Sequence, residues 1–305
     1  MKEYILSLFI FSCPLLLGAQ TPTDALYMNH SQVCFAGILQ CNTWDNYWEG
    51  PLRRDNPNLG QVSHRSILAM GAIGISPRLN LLAMVPYISS RASQGSLAGQ
   101  QGMQDLSVWL KYRALDSQFG HGKGKGFLLL GSDMPVSDYV PDFLPMSIGL
   151  QARTFSLRSI FDYWANNGLY LTLRGGYTLR SNITIDRDAY QANGKLYFTN
   201  TVALPQVADV GALVGWRKGA WVSAFTLDYT GAVSGDDIRP NDMPFPTNRM
   251  LGTSLGILGK YQGKHWGITL SGHLTVQGRN IGQNQFIQLG GLYLFQTRKA
   301  ENLTD

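Results

Sequence analysis

Apolar and polar residues alternate along much of this chain with a period of two. In the run from Gln104 to Ala114, Leu106 and Leu110 fall on one face while Lys111 falls on the other. This alternation is typical of a strand with one apolar and one polar face. The runs 169–180 and 265–277 repeat it. Several runs reach about ten to thirteen residues, which is the length of tilted strands that cross an outer membrane.

Marking every such run predicts about twelve strands, and an even number returns both chain ends to the same side of a membrane. The predicted strands are Gln32 to Cys41, Gln61 to Ile75, Leu79 to Ser89, Gln104 to Ala114, Gly126 to Met134, Ile148 to Asp162, Gly168 to Arg180, Gln206 to Trp216, Ala220 to Thr230, Met250 to Tyr261, His265 to Gln277 and Gln285 to Phe295. The pattern therefore predicts an all-β fold, a closed antiparallel transmembrane β-barrel. The alternative is about fourteen strands, if the segment 181–205 adds a hairpin around its Asn193-Gly194 turn signal.

The predicted connections alternate between short and long. Ser76-Pro77-Arg78 and Gln262-Gly263-Lys264 are short, and the stretch 116–125 is interpreted as a further turn on the same side. Most of the others are long and polar, such as 42–60 and 231–249. Outer-membrane barrels have tight periplasmic turns and extended outer loops, and their closed sheet leaves no edge unpaired in lipid. The alternation therefore favours this architecture over a soluble sandwich.

Composition narrows the choice further. Only 15% of the 305 residues are charged, against about 25% in soluble domains, and 11% are aromatic, which excludes a disordered chain. Beyond residue 20 there is no apolar run of the roughly 18 residues that a membrane-spanning helix needs. The net charge of +5 comes from scattered basic residues, so no nucleic-acid partner is predicted.

The first twenty residues have the pattern of a signal peptide. Lys2 precedes an apolar run from Tyr4 to Gly18, and Ala19 with Gln20 forms a small-residue cleavage region. We therefore expect export to the bacterial outer membrane, with residues 1–20 as signal peptide and 21–305 as a single barrel domain. Cys34 and Cys41 remain, and a disulfide or two separate thiols are both open, although seven residues of one extended strand span roughly 23 Å.

Charged residues within the strands predict the lining of the lumen. An ionisable group that faces lipid at mid-depth costs about 2 to 4 kcal/mol, so these side chains should point inward. The same alternation places His265, Asp209 and Asp228 inside. They either pair across the lumen and fill it, or line a narrow polar path with aromatic contact surfaces for an apolar solute. The predicted path residues are Asp105, Trp109, Lys111, Arg113, Tyr170, Arg174, Arg180 and His273.

Aromatic residues mark two further regions. Trp44, Tyr47 and Trp48 lie in a predicted outer loop, where they either capture apolar solutes through their π-surfaces or pack the loop against its neighbours. Pairs near strand ends predict an interfacial girdle, with cross-strand packing as the alternative. These pairs are Trp109 and Tyr112, Trp216 and Trp221, and Tyr261 and Trp266.

No catalytic or metal-binding pattern stands out. The five histidines lack zinc spacing, and Asp236, Asp237 and Asp242 lack the ordered ligand spacing of a Ca²⁺ loop. His64 and Ser66 share a strand face, but no Asn follows where a barrel phospholipase would need one. We therefore predict no enzyme, no cofactor and no metal. The expected partners are outer-membrane lipid, lipopolysaccharide and a small hydrophobic solute.

Several motifs resemble those of FadL-like channels. The stretches Pro77-Arg78-Leu79-Asn80-Leu81, Val85-Pro86-Tyr87 and Asp105-Leu106 carry the resemblance, which is strongest to the branch associated with meta-pathway degradation of phenol and aromatic compounds. The stretches 235–239 and 278–283 are similar to versions of this barrel in Bacteroidetes-type bacteria. The resemblance implies a channel for small hydrophobic or aromatic compounds that works by passive or facilitated diffusion. It also implies a wall kink at Pro86 through which an apolar solute leaves sideways, and the alternative is a strand that already ends near Pro86 above the lipid zone.

One feature departs from that family. Its fatty-acid channels have about fourteen strands and an N-terminal plug of several tens of residues, whereas the segment 21–31 is too short for such a plug. The alternative function is an outer-membrane interaction or secretion-apparatus barrel without transport activity.

Overall fold

The computed structural model describes residues 20–240 and 242–296, so the predicted signal peptide lies outside the described residues except for Gln20. Within these ranges no helix is long and apolar enough to cross a membrane. The strands in chain order are β1 (Gln32–Trp44), β2 (Asn46–Glu49), β3 (Leu52–Asp55), β4 (Val62–Ser76), β5 (Leu79–Ala92), β6 (Gln101–Met103), β7 (Asp105–Phe119), β8 (Gly122–Pro135), β9 (Thr154–Ala165), β10 (Leu169–Arg180), β11 (Ile183–Thr184), β12 (Tyr190–Ala192), β13 (Lys195–Tyr197), β14 (Thr201–Val202), β15 (Val207–Lys218), β16 (Trp221–Ala232), β17 (Leu251–Gln262), β18 (Trp266–Arg279) and β19 (Gln285–Gln296).

The long strands form one closed antiparallel barrel. Each pairs with its neighbours along the chain, and β1 pairs with both β4 and β19, which closes the wall. The short β6 continues the line of β7 along the loop end of β5, so the wall contains twelve strands. The prediction of a closed antiparallel barrel of about twelve strands is confirmed. Since β1 and β19 pair from Gln32 and Gln296 through Thr43 and Gln285, the seam is hydrogen-bonded over almost its whole length.

The segment between β10 and β15 contains the predicted hairpin, but not in the wall. Strands β12 and β13 flank Asn193 and Gly194, whose φ angles of 51° and 73° are those of a tight hairpin turn with two left-handed residues. These strands pair only with each other, and β11 pairs only with β14. The fourteen-strand alternative is therefore wrong, because the hairpin stands among the loops beyond the barrel rim.

Two predicted boundaries change the most. The stretch 116–125 is not a turn: β7 continues to Phe119, and only Gly120 and His121 connect it to β8. Asp116 pairs opposite Lys125 there, and opposite charges across a ladder favour strand extension. Strand β9 begins at Thr154 instead of Ile148, because the apolar Ile148 is buried beneath the loops and not in the wall.

The outer face of the barrel is apolar. Phe225, Ile257 and Ile287 have 74%, 61% and 62% of their surface exposed, as expected of side chains that face lipid. Near the short turns, the ring of Tyr261 lies 4.9 Å from that of Trp221 and 5.1 Å from that of Trp266. Such a cluster on the outer face is typical of an interfacial girdle.

Trp109 does not belong to the girdle, contrary to one of the two expectations for it. Its side chain points inward with 6% exposed, and its indole lies over Gly131 so closely that a Cβ there would stand 2.5 Å away. Trp109 has the same strand parity as Lys111, whereas Tyr112 has the parity of the lipid face. The face of the strand on which a residue lies, and not its closeness to the strand end, therefore decides whether it belongs to the girdle.

The lipid face makes a direct prediction about stability. Ile257 is near the middle of β17, so replacing it with Arg places a charge in the hydrocarbon and should lower the free energy of unfolding by about 2 to 4 kcal/mol. Urea unfolding in lipid vesicles measures this change. The matched control is Val136→Arg, which alters an exposed loop residue and should leave stability nearly unchanged. Equal effects of the two substitutions would contradict the assignment of the lipid face.

Candidate functional site in the barrel lumen

The residues before β1 lie inside the barrel. This N-terminal segment, residues 20–31, has Gln20 and Met28 almost fully buried, at 0% and 1% exposure. Met28 packs in a cluster with Leu82 and Phe127 of the wall, and the amide of Gln20 meets the amide of Asn80. The sequence length alone suggested a segment too short for a plug. The part from Gln20 to Met28 nevertheless occupies the lumen, because the wall supplies partners for its polar groups, whereas Asn29 and His30 are exposed.

Three cations, on β7, β9 and β10, hold the backbone of this segment. The Lys111 ammonium on β7 donates to the backbone carbonyl of Asp24 at 2.7 Å and lies 3.3 Å from its carboxylate. Arg158 on β9 donates to the carbonyl of Pro22 at 3.3 Å, and Arg174 on β10 to that of Thr23 at 3.0 Å. Irregular backbone inside a barrel has no ladder partners, so these bonds satisfy carbonyls that would otherwise depend on water.

The same cations belong to a set of ion pairs across the wall. Arg158 pairs with Asp209 at 2.8 Å, and Arg174 pairs with Asp228. Asp209 and Asp228 thus face inward, as the alternation predicted. Between β9 and β15, two guanidinium nitrogens of Arg217 bind the two carboxylate oxygens of Asp162, each at 2.7 Å. A partly buried charge is costly without a partner, so this pairing lets the lumen hold several charged groups.

The other predicted path residues are spread along the barrel. Tyr170 is buried, with the Arg217 guanidinium stacked 3.8 Å above its ring. The His273 ring contacts the Thr226 hydroxyl at 3.3 Å. Arg113 lies at the short-turn end, where it donates to the Pro77 carbonyl at 2.8 Å. These residues share an inward orientation but do not form one cluster.

Two more path residues, Asp105 and Arg180, lie at the loop end of their strands. The hydroxyl of Tyr139 donates to the Asp105 carboxylate at 2.6 Å, and burial together with this bond raises the pKa of Tyr139. The backbone N–H and carbonyl of Arg180 are hydrogen-bonded by the Gln206 amide. His265, expected inside, is exposed and precedes β18, with its ring beside Tyr293. That expectation is wrong because the strand starts one residue later than predicted.

A cavity of about 360 Å³ lies between the N-terminal segment and the wall, and we call it the inner cavity. One side comes from β1, β4, β5 and β19 and is mainly apolar, while the other comes from β10 and β15 to β18 and carries the basic side chains among apolar ones such as Leu213 and Leu258. The apolar side includes Ala36, Ile38, Leu68, Met70, Met84 and Leu292, and the basic side includes Arg174, Arg217, Lys260 and His273. The inner cavity therefore has the two-sided character of a site for an amphipathic molecule.

A second cavity of about 530 Å³ lies among the long loops, and we call it the outer cavity. Trp44 and Tyr47 line it together with Leu97, Met243 and Ile281, so its surface is mainly apolar. Trp48 lies behind it, 6% exposed and packed on Gly278, where a Cβ would come within 2.4 Å of the indole. Two of the three aromatic residues predicted for capture therefore face the cavity, and the third packs against the loop end of β18.

A layer of neutral polar side chains separates the two cavities on the β1 side. Gln40 donates to Gln288 at 3.0 Å and accepts from the Ser66 hydroxyl at 2.7 Å. Asn42 is the next inward-facing residue of β1 toward the loops, and its side chain donates to that of Asn284 at 2.9 Å. Gln40 lines the inner cavity and Trp44 the outer one, and four residues of strand span about 13 Å. The cavities therefore follow one another along the barrel axis.

The loops above the outer cavity are joined by Asn280, which is 1% exposed. Its side-chain oxygen accepts from the backbone N–H groups of Gly50 at 2.9 Å and Ile238 at 3.0 Å. Beside it, Arg279 donates to Asp237 at 2.7 Å and holds the pKa of that carboxyl below its usual value. Among the described residues there is no group of three or more His, Cys, Asp or Glu that could hold a metal ion. The carboxylates of Asp236 and Asp237 instead accept hydrogen bonds from Asn193 and Arg279, and so connect separate loops.

The wall is irregular at Pro86. On one side the β4 ladder continues without a break, with Leu68 opposite Pro86. On the other side the register changes by one residue between the pairs Met84 with Ser107 and Tyr87 with Met103, and the Pro86 carbonyl accepts from the N–H of Gln104 at 2.9 Å. Proline lacks a ladder donor, so an irregularity beside it is expected. Lateral exit of a solute here stays a prediction.

Sequence reasoning missed four charged residues of the lumen: Arg158, Asp162, Arg217 and Lys260. Arg217 was assigned to a turn, and the long predicted strand 148–162 obscured the parity of Arg158 and Asp162. Lys260 could have been found, because Leu255, Ile257 and Tyr261 mark the lipid face of β17 and leave Lys260 on the other. Cys34 and Cys41, seven residues apart on β1, are both free thiols.

The fold defined by these features is that of an outer-membrane β-barrel. The structure is similar to that of an outer-membrane channel from Pseudomonas putida F1, with a TM-score of 0.70 and 13% identity over 90% of this chain and 100% of that chain. The KdgM porin in complex with disordered oligogalacturonate gives 0.46 and 8% identity over 87% and 99% of the two chains. The translocator domain of the autotransporter NalP from Neisseria meningitidis gives 0.45 and 13% over 90% and 91%.

The first of these likenesses shows the fold, and the two with TM-scores below 0.5 add nothing to it. No protein-family model matches the sequence, and no curated protein matches it. The resemblance to FadL-like channels therefore stays a prediction. What the chain has in common with a solved channel is its barrel architecture.

The contacts between Lys111 and Asp24 lead to a prediction about how stably the N-terminal segment stays in the lumen. Asp24→Ala removes the charged partner of Lys111, and one charge-assisted hydrogen bond contributes about 1.5 to 3 kcal/mol. The displaced form of the segment should therefore become roughly ten- to a hundredfold more populated, and single-channel conductance in planar bilayers should rise. Asp116→Ala, which changes an exposed carboxylate at the short-turn end, is the control. Unchanged conductance in Asp24→Ala would mean that the segment is held by other contacts.

Proposed function

We propose that this protein is an outer-membrane channel that admits small hydrophobic or aromatic compounds by passive or facilitated diffusion. The observation that carries the proposal is the outer cavity, an apolar pocket among the loops at the entrance to the barrel. Apolar pockets of about 300 to 1,000 Å³ with a few polar groups are typical small-molecule sites. The volume of about 530 Å³ falls within that range.

The order of the two cavities supports a path for such solutes. A molecule held by Trp44 and Tyr47 meets the neutral amides of Gln40 and Asn42 next, and then the apolar side of the inner cavity at Ile38 and Leu68. The ion pairs of the wall keep most of the lumen charges neutralised, which lowers the barrier for an uncharged solute. The N-terminal segment lies across the end of this path and would have to shift during passage.

The resemblance to FadL-like channels and the predicted signal peptide agree with this function and with a place in the outer membrane. Diffusion through a barrel uses no cofactor and no nucleotide hydrolysis, and the proposal includes no enzymatic step. The chemistry of the outer cavity favours a small apolar or aromatic molecule as the solute.

Uptake of toluene into proteoliposomes tests the proposal. Trp44→Ala should slow uptake roughly two- to tenfold, since an aromatic contact contributes about 0.5 to 1.5 kcal/mol. Trp221→Ala is the matched control, because it removes a tryptophan of the same size from the lipid-facing girdle. Heat-modifiable migration on a gel verifies that both variants stay folded.

Two outcomes would contradict the channel proposal. One is a purified barrel that raises permeability to no apolar solute. The other is a barrel that co-purifies with a stoichiometric protein partner and transports nothing, in which case the secretion-apparatus alternative replaces transport.

A further inference from the structure

Among the described residues that line the inner cavity, Lys260 is a cation without a hydrogen-bond or ion-pair partner in the protein. It lies on β17, is 8% exposed and lines the inner cavity. Within residues 20–240 and 242–296, its ammonium makes no hydrogen bond or ion pair. Its cross-strand neighbours Val222 and Thr269 also line the cavity, and neither carries a charge. An unpaired ammonium in such a place is costly, so a partner of opposite charge would be strongly favoured there.

The protein's own carboxylates are already occupied. Asp24 is the single acidic residue among the described residues that line the inner cavity. Its two oxygens accept from the Thr21 N–H and hydroxyl, each at 2.8 Å, from the Leu26 N–H at 3.0 Å and from Lys111 at 3.3 Å. A carboxylate has about four acceptor positions, so Asp24 has none left for Lys260.

The remaining acids of the lumen are engaged in the same way. Asp162 holds Arg217 with both oxygens and also accepts from the Thr172 hydroxyl. Asp209 and Asp228 pair with Arg158 and Arg174. Counting these residues around the N-terminal segment, five cations face four carboxylates, and the surplus charge is that of Lys260.

We propose that Lys260 binds the anionic group of an amphipathic solute inside the inner cavity. The ammonium supplies the charge, and its cross-strand neighbour Thr269 supplies a hydroxyl that also lines the cavity. The apolar side of the cavity, including Ile38, Leu68 and Met70, receives the rest of the molecule. A volume of about 360 Å³ is near the lower end for ligand sites, so the solute is small. The ligand class is a small organic anion with one charged group and an apolar body.

This inference rests on the proposed channel function and adds a preference for charge to it. Transport of toluene is governed by the outer cavity and the path, whereas preference for an anion is governed by Lys260. The two proposals can therefore fail separately.

Equilibrium binding to the full barrel in detergent tests the inference, with phenylacetate as the anionic probe and 2-phenylethanol as its neutral counterpart. The wild type should bind phenylacetate roughly tenfold or more tightly than 2-phenylethanol, because a charge-assisted contact is added. Lys260→Met should abolish that difference by weakening the binding of phenylacetate. Lys260→Arg should retain it, since it keeps the charge.

Lys264→Met is the matched control, because Lys264 is exposed in the turn that follows β17. It should leave both affinities at the wild-type values. Replacing an unpaired buried cation by an apolar side chain of similar length should not unfold the barrel, and heat-modifiable migration verifies this. The inference is overturned if the wild type binds the anion no better than the neutral probe, if it binds neither, or if Lys260→Met keeps the preference. Toluene uptake, measured on the same preparations, separately decides the channel proposal.

Discussion

The requirement that every backbone polar group in a bilayer find a partner within the protein governs this structure. A sheet in hydrocarbon meets it only by closing on itself, and here the seam between β1 and β19 provides the closure. Once the wall is closed, each strand must present alternate residues to lipid and to the lumen. The apolar outer face and the charged interior are consequences of that single constraint, because charge on the lipid side would oppose insertion.

The closed wall creates a second problem in its interior. A twelve-stranded barrel has a lumen too wide for its own side chains to fill and too narrow for an open aqueous pore of the large porin type. The N-terminal segment resolves this by lying across the lumen, with its carbonyls bound to Lys111, Arg158 and Arg174. The carboxylates that neutralise these cations come from Asp24, Asp209 and Asp228. Segment and wall thus form one network, and the two cavities are the space that this network leaves unfilled.

The cavities differ in chemistry because they are built from different parts of the chain. Loop residues such as Trp44, Tyr47 and Met243 enclose the outer cavity, where large apolar side chains can pack without facing lipid. Strand residues enclose the inner cavity, so its two sides inherit the composition of the strands: aliphatic on β1, β4 and β19, basic on β15 and β17. A solute that passes from one to the other meets first an apolar surface and then a surface with a positive charge at Lys260.

The sequence by itself determined the barrel, because strand parity, strand length and the alternation of short and long connections are local properties. Parity also placed Lys111, Arg174, Asp209 and Asp228 inside. Tertiary structure decided what parity cannot express. The pairing partners of the charges depend on the shear between strands, and the position of the N-terminal segment depends on cations from β7, β9 and β10, which lie far along the chain from that segment. The same is true of Lys260: its side of the strand could be read from the sequence, but its lack of a partner exists only because the folded barrel commits every nearby carboxylate elsewhere.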